Sequence, residues 1–153
     1  MKYIVIDNGC KINTLEYNTF EIDEYNSGET ISESQEVNLS IKIGFNKENI
    51  LKRVLLLDVF VEGKHEAILL RNLHLDLFYE FEYKEEFNEA VLDSLDMYMI
   101  KHFLTETDKI VKNITSLDQL TSFSLKDAIT DVTEKVPANL SVTVEQVGHY
   151  NNF

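Results

Sequence analysis

Val54-Leu55-Leu56-Leu57-Asp58-Val59-Phe60-Val61 is apolar at every position but Asp58. Successive side chains of a strand point to opposite faces, so Leu55, Leu57, Val59 and Val61 share one face and Val54, Leu56 and Phe60 the other. A strand apolar on both faces belongs in the middle of a sheet. Its neighbour follows at once. Beyond the short polar stretch Glu62-Gly63-Lys64-His65, residues 66–83 alternate again. Ala67, Leu69, Arg71, Leu73, Leu75, Leu77, Tyr79 and Phe81 fall on one face; Ile68, Leu70, Asn72, His74, Asp76, Phe78, Glu80 and Glu82 fall on the other. The two arms form a long β-hairpin closed at residues 62–65. One face is core along its whole length. The other mixes Leu56, Phe60, Ile68, Leu70 and Phe78 with polar groups and needs a cover of its own. A second subunit, a bound chain or the protein's own C-terminal helix could supply it.

The segments upstream add strands to this hairpin. Residues 37–45 alternate without error, with Val37, Leu39, Ile41, Ile43 and Phe45 on the buried side. Residues 3–6, 11–17 and 19–22 are short β-like pieces, and Asn8-Gly9 reads as a turn between the first two. The phase of alternation slips between Tyr17 and Phe20, which predicts a bulge near Asn18. Residues 23–36 are polar, hold Asn26-Ser27-Gly28 and read as a loop.

Downstream, the period changes. Glu85-Glu86 open a helix, acidic residues suiting its positive end. Phe87, Val91, Leu95, Met99 and Phe103 recur at every fourth position, and the stripe resumes with Ile110, Val111, Ile114 and Leu117. Thr105-Glu106-Thr107-Asp108 is a break with cap-competent residues. One helix of about thirty residues and two shorter ones both fit, and the break favours two. A shorter amphipathic helix follows over 125–136, stopped by Pro137. Leu140, Val142 and Val144 alternate in a last strand ending near residue 147. The fold class is α+β: an antiparallel sheet with amphipathic helices packed on one face. The 153 residues are about one domain.

Chemistry-bearing patterns are sparse. The five glycines stand apart, so no phosphate loop or dinucleotide fingerprint is present. His65, His74, His102 and His149 show no metal-ligand spacing, and no serine lies in a nucleophile elbow. Cys10 is the only cysteine, so no intrachain disulfide forms. No cofactor, metal or catalytic residue is expected. The net charge of −13 repels nucleic-acid phosphates and anionic lipid, which excludes both as partners. No stretch is apolar enough to insert in a membrane, and no leader precedes the first strand, so the expected compartment is the cytoplasm. Glu80, Glu82, Glu85, Glu86 and Glu89 form an acidic patch where the long strand meets the helix.

The order of elements resembles the SecB family of export chaperones and its relatives associated with toxin–antitoxin systems. The resemblance covers a core over residues 11–125: 15–22 would match the family's first strand, 37–45, 54–61 and 67–81 the rest of its sheet, and 87–125 its helical hairpin. The helix and strand over 125–147 are added to it. The resemblance implies a four-stranded antiparallel sheet backed by helices, homo-oligomerisation, and non-enzymatic binding of unfolded polypeptide along apolar surface. The residues expected to carry polypeptide or a second subunit are Leu56, Phe60, Ile68, Leu70 and Phe78. The alternative is an acidic immunity- or inhibitor-type protein that meets a basic protein through Glu80–Glu89. An enzyme is a third reading, whose mark would be a deep pocket with converging polar groups.

Overall fold

Alternation of period two and period four resolves into one sheet and one long helix. The computed structural model describes residues 5–20, 33–46, 48–85, 88–117, 122–131 and 140–150. In chain order these form β1 (Val5–Thr19), β2 (Ser34–Asn46), β3 (Lys52–His65), β4 (Ile68–Tyr83), α1 (Glu89–Thr115), α2 (Lys126–Asp131) and β5 (Leu140–Tyr150). The strand order is β1-β4-β3-β2-β5. The first four strands are antiparallel, and β5 joins β2 in parallel. The class is α+β, as the sequence predicts.

The doubly apolar strand β3 lies between β4 and β2. Its Leu55, Leu57, Val59 and Val61 are fully buried with Leu73, Leu75 and Leu77 of β4 and Ile41 of β2. On α1, Leu95, Met99, Ile100, Phe103, Leu104 and Val111 close this core from one side. Phe123, Leu125 and Ile129 join the same core, so the described part of α2 packs on the side of α1. The cover expected from the 125–136 helix on the opposite face is therefore not provided by residues 126–131; residues 132–136 lie outside the described ones.

Several local expectations are corrected. Asn8-Gly9 does not end a strand. It lies inside β1, where the ladder slips between Asp7 and Gly9 and again between Ile12 and Thr14. Gly9 takes a φ of 109°, a backbone conformation glycine adopts at no steric cost, and its N–H donates to Asp7 Oδ1 at 2.8 Å. Near Asn18 the ladder is regular, and Asn18 Nδ2 donates to Asn72 Oδ1 across it at 3.1 Å.

The hairpin closes later than the sequence implies. His65 pairs with Ile68, and the turn is Glu66-Ala67, with Glu66 at φ 56°. Gly63 is instead a buried strand residue. A Cβ there would lie 2.3 Å from Glu33 Oε2, so glycine makes room for a carboxylate that holds Arg71.

The helical region is one helix from Glu89 to Thr115, capped by Asn88, whose side chain accepts from Val91 N. It starts after Glu85-Glu86; residues 86 and 87 lie outside the described ones. Of the four residues expected to break it, Thr107 and Asp108 are buried on its inner face and reach distant partners. Thr107 Oγ1 donates to Phe103 O and shares a 2.8 Å hydrogen bond with Tyr79 OH. Asp108 accepts from Leu125 N at 2.6 Å and pairs with Lys112. They are tertiary anchors in a continuous helix, not caps.

Candidate functional site

Away from β1 the helix side of the sheet is filled, and among the described residues its buried side-chain polar groups are engaged. Arg53 Nε donates to Asp96 Oδ1 at 3.2 Å, Tyr83 OH donates to the same oxygen at 2.6 Å, and Arg53 also donates to Ile50 O. Burial holds the Asp96 carboxyl above the usual carboxylate range despite these partners. Arg71, fully buried, donates to both Glu33 oxygens at 2.9 and 2.6 Å and to Tyr17 OH, and its guanidinium lies 3.9 Å from the Phe123 ring centroid. Desolvation works against the Arg71 charge, but Glu33 and Tyr17 more than offset it. The alternation of β4 places Arg71 on the core face without revealing this clamp, because its partners come from 38 and 54 residues away.

The opposite face is the candidate site. Antiparallel pairing sets its side chains in cross-strand rows. Leu56 of β3 faces Phe78 of β4; in the next row Asp58 faces Asp76, with Ser40 of β2 alongside; in the third, Phe60 faces His74. Phe60 is 43% exposed and stacks on the His74 ring at 4.0 Å between centroids, 9° from parallel. His74 Nε2 lies 2.7 Å from Asp58 Oδ1. A shallow depression of about 230 Å³ runs over the second row, lined by Asn13, Ser40, Lys42, Leu56, Asp58 and Asp76. No described helix covers this face.

Of the five residues expected on the apolar face, Leu56 and Phe78 are half-buried, and Phe60 and Ile68 are exposed. Leu70 is not available there: it is 1% exposed. The β3–β4 ladder slips at Gly63/Lys64, so Arg71 pairs with Gly63 and Leu69 with Lys64; Leu70 drops out of the alternation, and Ile68, opposite His65, changes to the other face from Leu56, Phe60 and Phe78. In the acidic patch, Glu80 and Glu82 lie on the same outer face, opposite Val54 and Lys52. Glu82 accepts from Asn49 Nδ2 at 3.4 Å, and Glu85 is exposed. Glu86 lies outside the described residues, and Glu89 opens α1.

A second depression, about 260 Å³, separates β1 from α1 and is lined by Asp7, Cys10, Tyr79, His102, Glu106 and Ile110 among others. Ile12 and Leu15, on the helix side of β1, are nearly half exposed. Partial burial pushes the Cys10 thiol up, a hydrogen bond with Tyr79 works against this and Asp7 adds to it; a raised thiol is a poor nucleophile. Among the described residues no three His, Cys, Asp or Glu side chains converge to hold a metal ion, and no helix is long and apolar enough to cross a membrane.

No family model and no curated protein matches the sequence. A solved structure does match. The chain is similar in structure to the Mycobacterium tuberculosis SecB-like chaperone Rv1957, solved in complex with a ChAD peptide from the Rv1956 HigA1 antitoxin. The TM-score is 0.60 at 8% identity, over 81% of this chain and 90% of that one. The fold is SecB-like. At this identity the likeness is one of architecture: an antiparallel four-stranded core with its helix on one side.

Proposed function

We propose that this protein is a non-enzymatic, SecB-type binder that holds extended or partly folded polypeptide on apolar surface. The observation that carries the reading is the outer sheet face, where Leu56, Phe78 and Phe60 lie under no described helix. Flat apolar rows bordered by polar groups suit chains of varied sequence, because burial of apolar area is non-directional. The peptide in the structurally similar chaperone supports a protein partner. Homo-oligomerisation belongs to the proposal: β1 is an edge strand with Ile12 and Leu15 exposed on its helix side, a surface that a second copy would cover. An exposed, unbridged Cys10 fits a reducing compartment such as the cytoplasm.

The test is light scattering with and without a reduced, unfolded polypeptide, on the wild type and on Leu56→Asp/Phe60→Asp. The wild type is expected to form an oligomer and capture the chain; the variant is expected to keep its circular dichroism and lose capture. A wild-type monomer that ignores the polypeptide overturns the proposal.

One observation favours a second reading, an acidic inhibitor of a basic protein. Asp58 faces Asp76, and Glu80 and Glu82 continue the acidic row along β4. Binding to a basic partner would then fall steeply with salt, whereas capture through apolar rows would not.

A further inference from the structure

The strand β5 has no counterpart in the four-stranded antiparallel core and joins it differently. It hydrogen-bonds to β2 alone, at the edge of the sheet, and runs parallel where every other pairing is antiparallel. Parallel pairing is slightly less stable per residue. The ladder slips between Gly44 and Phe45, so its uninterrupted part runs from Val37 opposite Leu140 to Gly44 opposite Val147. The sequence of β5 also repeats that of the strand it covers. Asn38-Leu39-Ser40-Ile41-Lys42-Ile43 and Asn139-Leu140-Ser141-Val142-Thr143-Val144 share Asn-Leu-Ser followed by alternating branched residues. The pairing is staggered: Leu39 lies opposite Val142, and Ile41 opposite Val144.

We propose that the outer edge of β2 is a strand-accepting site and that β5 occupies it as an internal stand-in. Release of β5 opens the edge to an extended partner segment that alternates branched apolar with small polar residues, as β5 itself does. This rests on the polypeptide-binding reading above and adds the mode of binding and its restraint. An uncovered edge offers a row of N–H and C=O groups to any extended chain, with affinity from the main chain and selectivity from alternate side chains. Ser40 and Lys42 belong both to β2 and to the depression on the outer face, so a segment seated on this edge would run beside the apolar rows.

The test uses the full chain and a fluorescent synthetic peptide of residues 139–150, read by anisotropy. Of two consecutive strand residues, one turns its N–H toward the neighbour, so Val142→Pro/Thr143→Pro removes a ladder bond whatever the phase. This variant is expected to bind the peptide at least tenfold more tightly than the wild type. A closed variant, Ser40→Cys/Thr143→Cys in a Cys10→Ser background, joins two directly opposed positions at a strand spacing of about 4.8 Å, within disulfide reach. Oxidised, it is expected to bind no peptide; reduction is expected to restore binding. Equal peptide binding by the proline variant and the wild type, or binding by the oxidised closed variant, overturns the proposal. Reduced, carboxymethylated α-lactalbumin is measured in parallel. If it is captured while the proline variant ignores the peptide, the strand gate falls and polypeptide binding stands. If neither probe binds any variant, both fall.

Discussion

Truncating Asp96 to alanine tests whether the buried polar cluster fixes the helix to the sheet. Asp96 of α1 and Arg53 of β3 are 7% and 5% exposed, and Tyr83 of β4 donates to the same carboxylate oxygen. Asp96→Ala leaves a buried guanidinium without its counter-charge and a buried phenol without its acceptor. Removing one partner of a buried pair costs about 3–5 kcal/mol. Arg53 keeps the carbonyls of Ile50 and Lys52 and the ring faces of Phe45 and Tyr83, which places the loss at the lower end, about 3 kcal/mol. With a urea m-value of about 2 kcal/mol/M, the midpoint falls by about 1.5 M. The paired replacement Arg53→Met/Asp96→Leu removes both charges and is expected to recover most of the loss. Urea unfolding followed by circular dichroism reads all three. A midpoint shift under about 0.3 M for Asp96→Ala at unchanged m, or a double variant no more stable than Asp96→Ala, refutes the reasoning.

The pH dependence of the same site has a definite sign. Burial raises the folded Asp96 pKa above its ordinary value of 3.8, so the folded state holds this proton more tightly than the unfolded one. Its contribution to stability is complete below about pH 3.8 and is lost as pH rises through the folded pKa, and Asp96→Asn is expected to flatten that part of the stability profile. At the alkaline end, burial raises the hydroxyls of Tyr79 and Tyr83 above 10.0, with Asp96 adding to the shift at Tyr83. Stability is therefore present below pH 10.0 and falls above it. Ultraviolet titration is expected to show two of the seven tyrosines ionising only as the fold opens; ionisation of all seven before loss of circular dichroism contradicts this. Gly63→Ala forces the Glu33 carboxylate off Arg71, at a cost of about 1–3 kcal/mol in denaturant midpoint experiments. Thr107→Val removes one partner of the Tyr79 hydroxyl and is expected to cost about 1 kcal/mol, while a change in helix content would contradict the continuous α1.

The strands of the hairpin are legible because Val54 to Val61 is an apolar run broken only at Asp58 and a period of two is written across most of β4. The helix is legible as a stripe, but its continuity is not. Thr107 and Asp108 have the side chains of a cap, and only the distant Tyr79 and Leu125 show that they are buried anchors. Gly63 reads as a turn residue among polar neighbours, while its actual reason, the Glu33 carboxylate, comes from just before the neighbouring strand β2. Leu70 follows the alternation on paper and leaves it where the ladder slips. On the candidate face, the apolar residues follow from alternation. The cross-strand rows, and the stacking of Phe60 on His74, depend on register, which a period of two leaves open.

The position of β1 beside β4 governs the order of assembly. The β3–β4 hairpin closes through a two-residue turn, an event of microseconds. β1 has no such neighbour: residue 5 must find residue 83, and residue 19 must find residue 71, with β2 and β3 in between. Long loop closures of this kind slow folding. The hairpin and α1 are thus expected to gain amide-exchange protection first and β1 last. Until β1 arrives, the edge of β4 lies open in every newly made chain, so yield during refolding is expected to fall with protein concentration.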